Sequence, residues 1–354
     1  MNNYTENIKK TFELSLKGLG CVSPNPLVGC VITDGDKIVA TGYHAKLGED
    51  HAERDALKKL NFKASGYTLY CNLEPCCHLN KRTPPCAQMI IEAGIKKVVI
   101  SNLDPNPMVR GEGVKLLRQA GIEVVENILE SEGLKLNERF FKYIQTGIPF
   151  IETKIAMTLD GKIAKPDGTS KWITNSSSRE MAHQRRNLYD AIVIGAQTLR
   201  HDNPTLSIRL NEAERFIPRI VFSESGNIDT KHNLFSDQHA KETLLVTKSL
   251  HPLINQDNQF IYSEVFPWSD FYVWLKNKHI YSLFVEGGAN LISFFINHNQ
   301  VDRMTFFIAP KIMGNGISFA HQFHDRSFSD LLTLKNSETQ MLSGDLMVTG
   351  LIKG

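Results

Sequence analysis

Four of the chain's six cysteines, Cys71, Cys76, Cys77 and Cys86, fall within sixteen residues, and this crowding constrains the fold more than any other feature. Thiols gathered so tightly make either a disulfide staple or a metal centre. Staples belong mainly to small domains folded in oxidising compartments. At 354 residues the chain has material for two domains of roughly 150 residues each, and its 42% hydrophobic content supports packed cores without cross-links. The N-terminus (MNNYTENIKKTFELSLKG) has no apolar run leading to a small-residue cleavage site, so a reducing, cytoplasmic location is expected. A membrane span would need about 18 consecutive apolar residues, and no such run occurs. Charge is balanced: 19 basic and 17 acidic residues precede position 148, and 21 of each follow. A nucleic-acid footprint usually needs a basic excess, so no nucleic-acid partner is expected.

Short apolar strands alternate with helical patterns, which predicts α/β layers. Tyr4, Ile8, Phe12, Leu16 and Leu19 recur at helical spacing. Leu27–Ile32 and Lys37–Thr41 flank a hairpin signal at Asp34-Gly35. Helices are expected over His51–Leu60, Ala87–Ala93 and Val114–Ala120, with strands at Tyr67–Leu73, Lys97–Ser101 and Glu123–Val125. Asn137–Pro149 is taken as the join, giving domains 1–147 and 148–354. Beyond it, strands are expected at Phe150–Met157, Ala191–Gly195, Arg219–Phe222, Thr243–Val246, Ser282–Glu286, Arg303–Ala309 and Asp345–Leu351, and a helix over Ser177–Leu188. The run from Asp202 to about His279 shows too little periodicity to place.

Zinc favours thiolate and imidazole, and a catalytic zinc takes three protein ligands and leaves one position open. His51, Cys76 and Cys86 match that set. Glu53, two residues past His51, is near enough to handle a proton without ligating. Cys86 directly precedes the expected helix, whose N-terminus would favour its thiolate. Two other readings remain: a chance grouping of a buried histidine with free cysteines, and a structural site completed by Cys71, Cys77 or His78. Neither explains Glu53.

His-x-Glu followed by Pro-Cys-x-x-Cys is the signature of zinc nucleobase deaminases, from which this chain departs in placing the second cysteine ten residues after Cys76, not three. Here Asn25-Pro26-x-Val28-Gly29, Gly42-x-His44-x-x-x-Gly48-x-x-His51-Ala52-Glu53, Glu74-Pro75-Cys76, Thr83-Pro84-Pro85-Cys86 and Asp104-Pro105-Asn106-Pro107 with Gly111-x-Gly113 resemble the deaminase half of the bifunctional riboflavin-biosynthesis deaminase/reductases. The loop Leu79-Asn80-Lys81-Arg82 is one residue longer than that family's usual form. Counting back from Cys86 by its spacing would select Cys77, whereas Glu74-Pro75 favours Cys76. The resemblance implies a cytidine-deaminase-like layered sheet with zinc on His51, Cys76 and Cys86, and Glu53 as the catalytic acid/base. It places Asn25 and His44 at the pyrimidine or ribose, and Lys81, Arg82 and Thr83 at a phosphate.

The second half lacks a Gly-x-Gly-x-x-Gly fingerprint but has Glu286-Gly287-Gly288-Ala289-Asn290 at an expected strand-to-helix turn, where backbone amides can approach phosphate. With Lys154-x-Ala156-x-x-x-Asp160-Gly161, Ser170-x-Trp172-Ile173-Thr174 and Asp190-Ala191 to Leu206, it resembles the reductase half of the same family. That implies a dihydrofolate-reductase-like domain using NADPH. Ala156, Trp172, Thr198, Asp202, Gly287, Gly288, Ala289 and Asn290 would line the cofactor, and Ser170, Arg186, Leu206, Arg209 and Glu286 the substrate. The function so implied is zinc-dependent deamination of a phosphoribosylaminopyrimidine, then NADPH-dependent reduction of its ribosyl group. A homodimer or higher homo-oligomer is the expected assembly.

Overall fold

The structure, a computed structural model, describes residues 4–77, 85–107, 109–210 and 213–352. It separates into two units, 1–148 and 149–354. In the first, α1 (Tyr4–Ser15) stops before the expected Leu19, and Leu16–Gly18 tightens into a 3-10 turn. Gly18 and Gly20 are poor helix formers, which accounts for the early end. There follow β1 (Gly29–Asp34), β2 (Lys37–Tyr43), α2 (Ala52–Lys58), β3 (Thr68–Leu73), α3 (Cys86–Glu92), β4 (Lys97–Asn102), α4 (Glu112–Gln119) and β5 (Glu123–Val125).

The sheet runs β2-β1-β3-β4-β5. β1 is antiparallel to β2 and to β3, while β3, β4 and β5 are parallel. Successive strand residues face opposite sides. Cys30, Ile32, Leu69 and Cys71 therefore pack under Ala52, Ala56 and Leu57 of α2 and Ala87 and Ile90 of α3. Val31, Tyr70 and Val99 face the other way, onto Ile8 and Leu14 of α1. The result is a three-layer sandwich whose parallel strands end at the metal-ligand segments. The expected join at Asn137–Pro149 is mostly helical: α6 (Glu138–Thr146) lies in it, directly after α5 (Glu130–Leu136). Gly147, at φ 70°, closes α6 in the left-handed conformation that glycine adopts freely.

The second unit opens with β6 (Phe150–Thr158), β7 (Lys162–Ala164), α7 (Ser176–Arg186), β8 (Ala191–Gly195) and α8 (Ala196–Asp202). The run of weak periodicity holds the two expected strands, β11 (Arg219–Phe222) and β12 (Thr243–Thr247), and the unplaced β9 (Ile208–Leu210), β10 (Ala213–Arg215), α9 (Asn233–Ser236), β13 (Gln259–Ile261) and α10 (Trp268–Asn277). Next come β14 (Ser282–Val285), α11 (Ala289–Asn297), β15 (Arg303–Ala309), β16 (Ile317–Ser318), β17 (Lys335–Leu342) and β18 (Asp345–Leu351). Nine strands form one sheet in the order β13-β12-β11-β8-β14-β6-β15-β18-β17. Its strands are parallel from β13 to β15, and β18 and β17 add antiparallel at one edge. Among the described residues, no helix is long and apolar enough to cross a membrane.

Candidate functional site

Three elements deliver the metal donors of the first unit. His51 caps the N-terminus of α2, Cys86 is the first residue of α3, and Cys76 follows β3. The Nδ1 of His51 lies 3.5 Å from Cys86 Sγ and 3.7 Å from Cys76 Sγ. All three donor atoms fall within 4.8 Å of one another. The Cys86 backbone N–H donates to Cys76 Sγ at 3.5 Å, which locks the two cysteine segments together. The Cys76 sulfur beside it, together with burial, pushes the Cys86 thiol well up. Ionising both thiols takes a compensating cation, which a divalent metal supplies. Two sulfurs and one imidazole are the donor chemistry of zinc, so the residues fit that ion.

Glu53 is 3% exposed and stands outside the donor group. Burial raises its carboxyl, with His51 opposing the shift. Among the described residues, the group has three members, and Cys77 and Cys71 do not join it. His78, Lys81, Arg82 and Thr83 lie outside the described residues. Asn25 and His44 come together beside the donors. The His44 Nδ1–H donates to the Asp50 carbonyl at 3.0 Å, so its Nε2 accepts from the Asn25 amide at 3.0 Å. The rings of His44 and His51 sit 5.5 Å apart, edge on.

Sequence reasoning used Glu74 only to mark the start of a motif. Its buried carboxylate accepts backbone N–H bonds from Asp104 (3.1 Å), Gly111 (2.9 Å) and Val114 (3.1 Å). One side chain thus ties the Asp104–Val114 segment to the strand end that carries Cys76. Gly113 is required by the same packing, since a Cβ there would lie 2.3 Å from the Pro75 carbonyl oxygen.

In the second unit, a cavity of about 970 Å³ opens where β8 and β14 end, lined by Gly195, Thr198, Ser223, Gly288, Asn290 and Ser293 among others. The carboxyl ends of parallel strands are where α/β sheets bind ligands, and the volume suits a large one. The Ser223 and Ser293 hydroxyls are buried with no hydrogen-bond partner. A Cβ on Gly288 would meet nothing nearer than Thr198 Oγ1 at 3.9 Å, so the turn is open towards the cavity. The cavity therefore fits the phosphates and amides of a dinucleotide.

Of the cofactor residues expected from sequence, Thr198, Gly288 and Asn290 line this cavity, whereas Ala156, Trp172, Asp202, Gly287 and Ala289 do not. Ala156 packs against the cluster of Ala182, Phe307 and Met347. Trp172 is 67% exposed, with the Arg179 guanidinium 4.6 Å above its ring. Asp202 pairs with Lys171 at 3.3 Å. Gly287 serves packing, because a Cβ there would lie 2.7 Å from Leu291 Cβ. Gly287→Ala is expected to lose about 1–3 kcal/mol by overpacking. Gly288→Ala should stay within ~0.5 kcal/mol of wild type. Urea denaturation of both variants checks the contrast, and equal losses would contradict it.

Apart from Ser170, half-buried in the loop before α7, the expected substrate residues converge. Arg186 holds Glu286 in a two-pronged ion pair, with Nη2 3.0 Å from Oε2. Lys154 Nζ approaches the same oxygen to 3.4 Å. Burial alone would raise Glu286, but Arg186 and Lys154 hold it down to about 2. Leu206 is buried at φ 55°, a left-handed conformation unusual for leucine. The bend precedes Ser207, whose carbonyl accepts from Arg186 Nη1 at 2.9 Å. His183, which the sequence reading passed over, lies between Arg186 and Arg209. No local motif marks it; only its place one turn before Arg186 on α7 does.

Comparison with known proteins agrees with this division. Residues 3–102 match the cytidine and deoxycytidylate deaminase zinc-binding region, and residues 149–348 match the RibD C-terminal domain. The riboflavin biosynthesis protein RibD of Aquifex aeolicus is 39% identical over 345 residues, covering 96% of each chain. That of Actinobacillus pleuropneumoniae is 42% identical, covering 87% of this chain and 84% of the relative. A Thermotoga maritima structure, described as a diaminohydroxyphosphoribosylaminopyrimidine deaminase/5-amino-6-(5-phosphoribosylamino)uracil reductase, superposes with a TM-score of 0.89. It is 36% identical, over 99% of this chain and 98% of its own. Acinetobacter baumannii RibD gives 0.87 at 31% identity over the same shares. With a three-donor zinc site in one unit, a dinucleotide cavity in the other and relatives matching across both, the chain belongs to the RibD family of riboflavin biosynthesis proteins.

Proposed function

We infer that the chain catalyses two consecutive steps of riboflavin biosynthesis: hydrolytic deamination of 2,5-diamino-6-(5-phosphoribosylamino)pyrimidin-4(3H)-one, then NADPH-dependent reduction of the ribosyl group to the ribitylamino product. The observation that carries this reading is the meeting of His51, Cys76 and Cys86 beside a buried carboxyl that is not one of the donors. His51 Nδ1, Cys76 Sγ and Cys86 Sγ would hold zinc. Bound zinc lowers the pKa of water towards neutrality and so makes a nucleophile available. Glu53 accepts a proton from the attacking water at its carboxylate and returns it to the departing amino nitrogen, so water enters and ammonia leaves. Asn25 and His44 orient the pyrimidine or ribose from the adjacent wall, and Lys81, Arg82 and Thr83 are assigned to its phosphate.

In the second unit Thr198, Gly288 and Asn290 would cradle the dinucleotide with Ser223 and Ser293. The family resemblance also assigns Ala156, Trp172, Asp202, Gly287 and Ala289 to the cofactor. NADPH, when bound, supplies the hydride for C1′ of the opened ribose. Glu286 is held ionised by Arg186 and Lys154, which makes it an acceptor for substrate hydroxyls or ring N–H groups. Ser170, Leu206 and Arg209 complete the substrate wall. The reading places the enzyme in the cytoplasm as a homodimer or higher homo-oligomer. Assaying the half-reactions separately tests it. Ammonia release is expected without NADPH, and NADPH oxidation is expected with the deaminated compound alone. Failure of either would remove that activity from the assignment.

A further inference from the structure

Two consecutive arginines of α7 hold two different carboxylates. Arg186 grips Glu286, just past the end of β14. Arg185 turns elsewhere, since neighbouring helix residues diverge by about 100°, and meets Glu152 of β6 in a second two-pronged pair. Its Nε donates to Oε1 at 2.5 Å and its Nη2 to Oε2 at 2.6 Å. The Tyr189 hydroxyl donates to the same Oε2. Glu152 is fully buried, on an inner strand of the sheet between β14 and β15. Burial alone would raise its carboxyl, but Arg185, Tyr189 and Thr305 hold it below the usual carboxylate range.

Such a pair is a poor source of stability. Desolvating two charges offsets most of their attraction, and apolar residues of similar volume generally serve as well or better. What a buried two-pronged pair does supply is geometry, because the planar guanidinium fork meets both carboxylate oxygens in one orientation. Glu152 and Lys154 share one face of β6 by strand alternation, and Lys154 Nζ reaches Glu286 at 3.4 Å. One strand therefore anchors both the helix that carries Arg186 and the carboxylate that Arg186 holds. The start of α7 is pinned separately: Asp345 accepts from the Asn175 N–H and the Ser178 hydroxyl, each at 2.7 Å. With both ends of α7 tied to the sheet, its height and rotation are fixed, and with them the reach of Arg186.

We propose that Glu152 and Arg185 are positioning residues of the reductase unit, which touch no ligand themselves but set α7 so that Arg186 holds Glu286 in place for the substrate. This rests on the reductase reading, in which Glu286 is an acceptor for the substrate, and adds to it the part of the fold that aims that carboxylate.

The test uses the full-length protein, with NADPH and the deaminated pyrimidine phosphate as reductase substrates and ammonia release by the first unit as an internal reference. Arg185→Lys keeps a charge opposite Glu152 but loses the fork. Glu152→Met combined with Arg185→Met removes both charges and leaves neither buried alone. In each, KM for the pyrimidine should rise by ~10-fold or more, the scale of a hydrogen bond to a charged group. KM for NADPH and kcat should stay within ~2-fold of wild type, the pattern of lost ground-state binding. The cofactor cavity is lined from α8 and α11 and not from α7, so only the pyrimidine should be affected. Ammonia release should be unchanged. A pair that served stability alone would lower the unfolding midpoint and move both KM values together, and that result would overturn the proposal. Arg185→Lys decides the matter alone if the double variant does not fold. Wild type that oxidises no NADPH would defeat the reductase reading. Wild-type turnover with a pyrimidine KM indifferent to the substitutions would leave that reading intact and defeat the positioning role.

Discussion

Replacing Glu53 with glutamine should reduce ammonia release by ~10²- to 10⁴-fold, the usual contribution of a positioned acid/base. Zinc should remain bound, and reduction of the deaminated substrate should be untouched. The expectation follows from where the carboxyl sits. It is almost fully buried, in the first turn of α2 two residues from His51, and absent from the donor group. A glutamine fills the same volume and cannot exchange a proton. Metal analysis beside an ammonia assay separates the outcomes: loss of zinc would make Glu53 a ligand, and retained ammonia release would deny it the catalytic role.

The second large effect concerns the cysteine pair. Cys76→Ser should strip zinc on dialysis against a mild chelator and abolish deamination, because a three-donor site that loses a thiolate keeps too little affinity. Cys77→Ser should retain both metal and activity. Counting spacing back from Cys86 selects Cys77, but the geometry selects Cys76, whose sulfur receives the Cys86 N–H and lies 3.7 Å from His51 Nδ1. The Glu74-Pro75-Cys76 start of the motif therefore keeps its place beside His51 and Cys86. Zinc loss from the Cys77 variant, with the Cys76 variant intact, would reverse this conclusion.

How much of this was legible in the sequence depended on how local each signal was. Strands buried on both faces are continuous apolar runs, and Ala191–Gly195 and Arg303–Ala309 were placed at their observed bounds. α10 escaped because its exposed stripe of Ser269, Asp270, Lys276 and Asn277 is short and interrupted by Val273. Trp268, Phe271, Tyr272 and Trp274 share its other side and pack into an aromatic cluster with Phe222, Phe260, Phe266 and Phe294. β17 escaped for the opposite reason, since seven of its eight residues are exposed and no alternation marks it. α5 and α6 were not placed: α6 fell inside the segment taken as the join, and α5 directly before it.

The metal donors were legible because zinc chemistry selects residue types wherever they fall. Ser223, Ser293 and His183 were not. Ser223 and Ser293 acquire meaning only where β11 and α11 border one cavity, and His183 only where α7 meets β9; serine or histidine at those positions carries no local signature. Glu74 lay in plain view, but its three backbone acceptances depend on the turn that follows β4.

The central claim is that two units act in order on one molecule, and a single assay addresses it. With the diaminopyrimidine phosphate as sole substrate, ammonia release and NADPH oxidation are followed together in wild type and in Glu53→Gln. The account predicts one NADPH oxidised per ammonia released, with oxidation lagging behind ammonia. It also predicts that the variant loses both signals and regains NADPH oxidation when given the deaminated compound. NADPH oxidation by Glu53→Gln on the diamino substrate, or ammonia release with no oxidation following it in wild type, would contradict it.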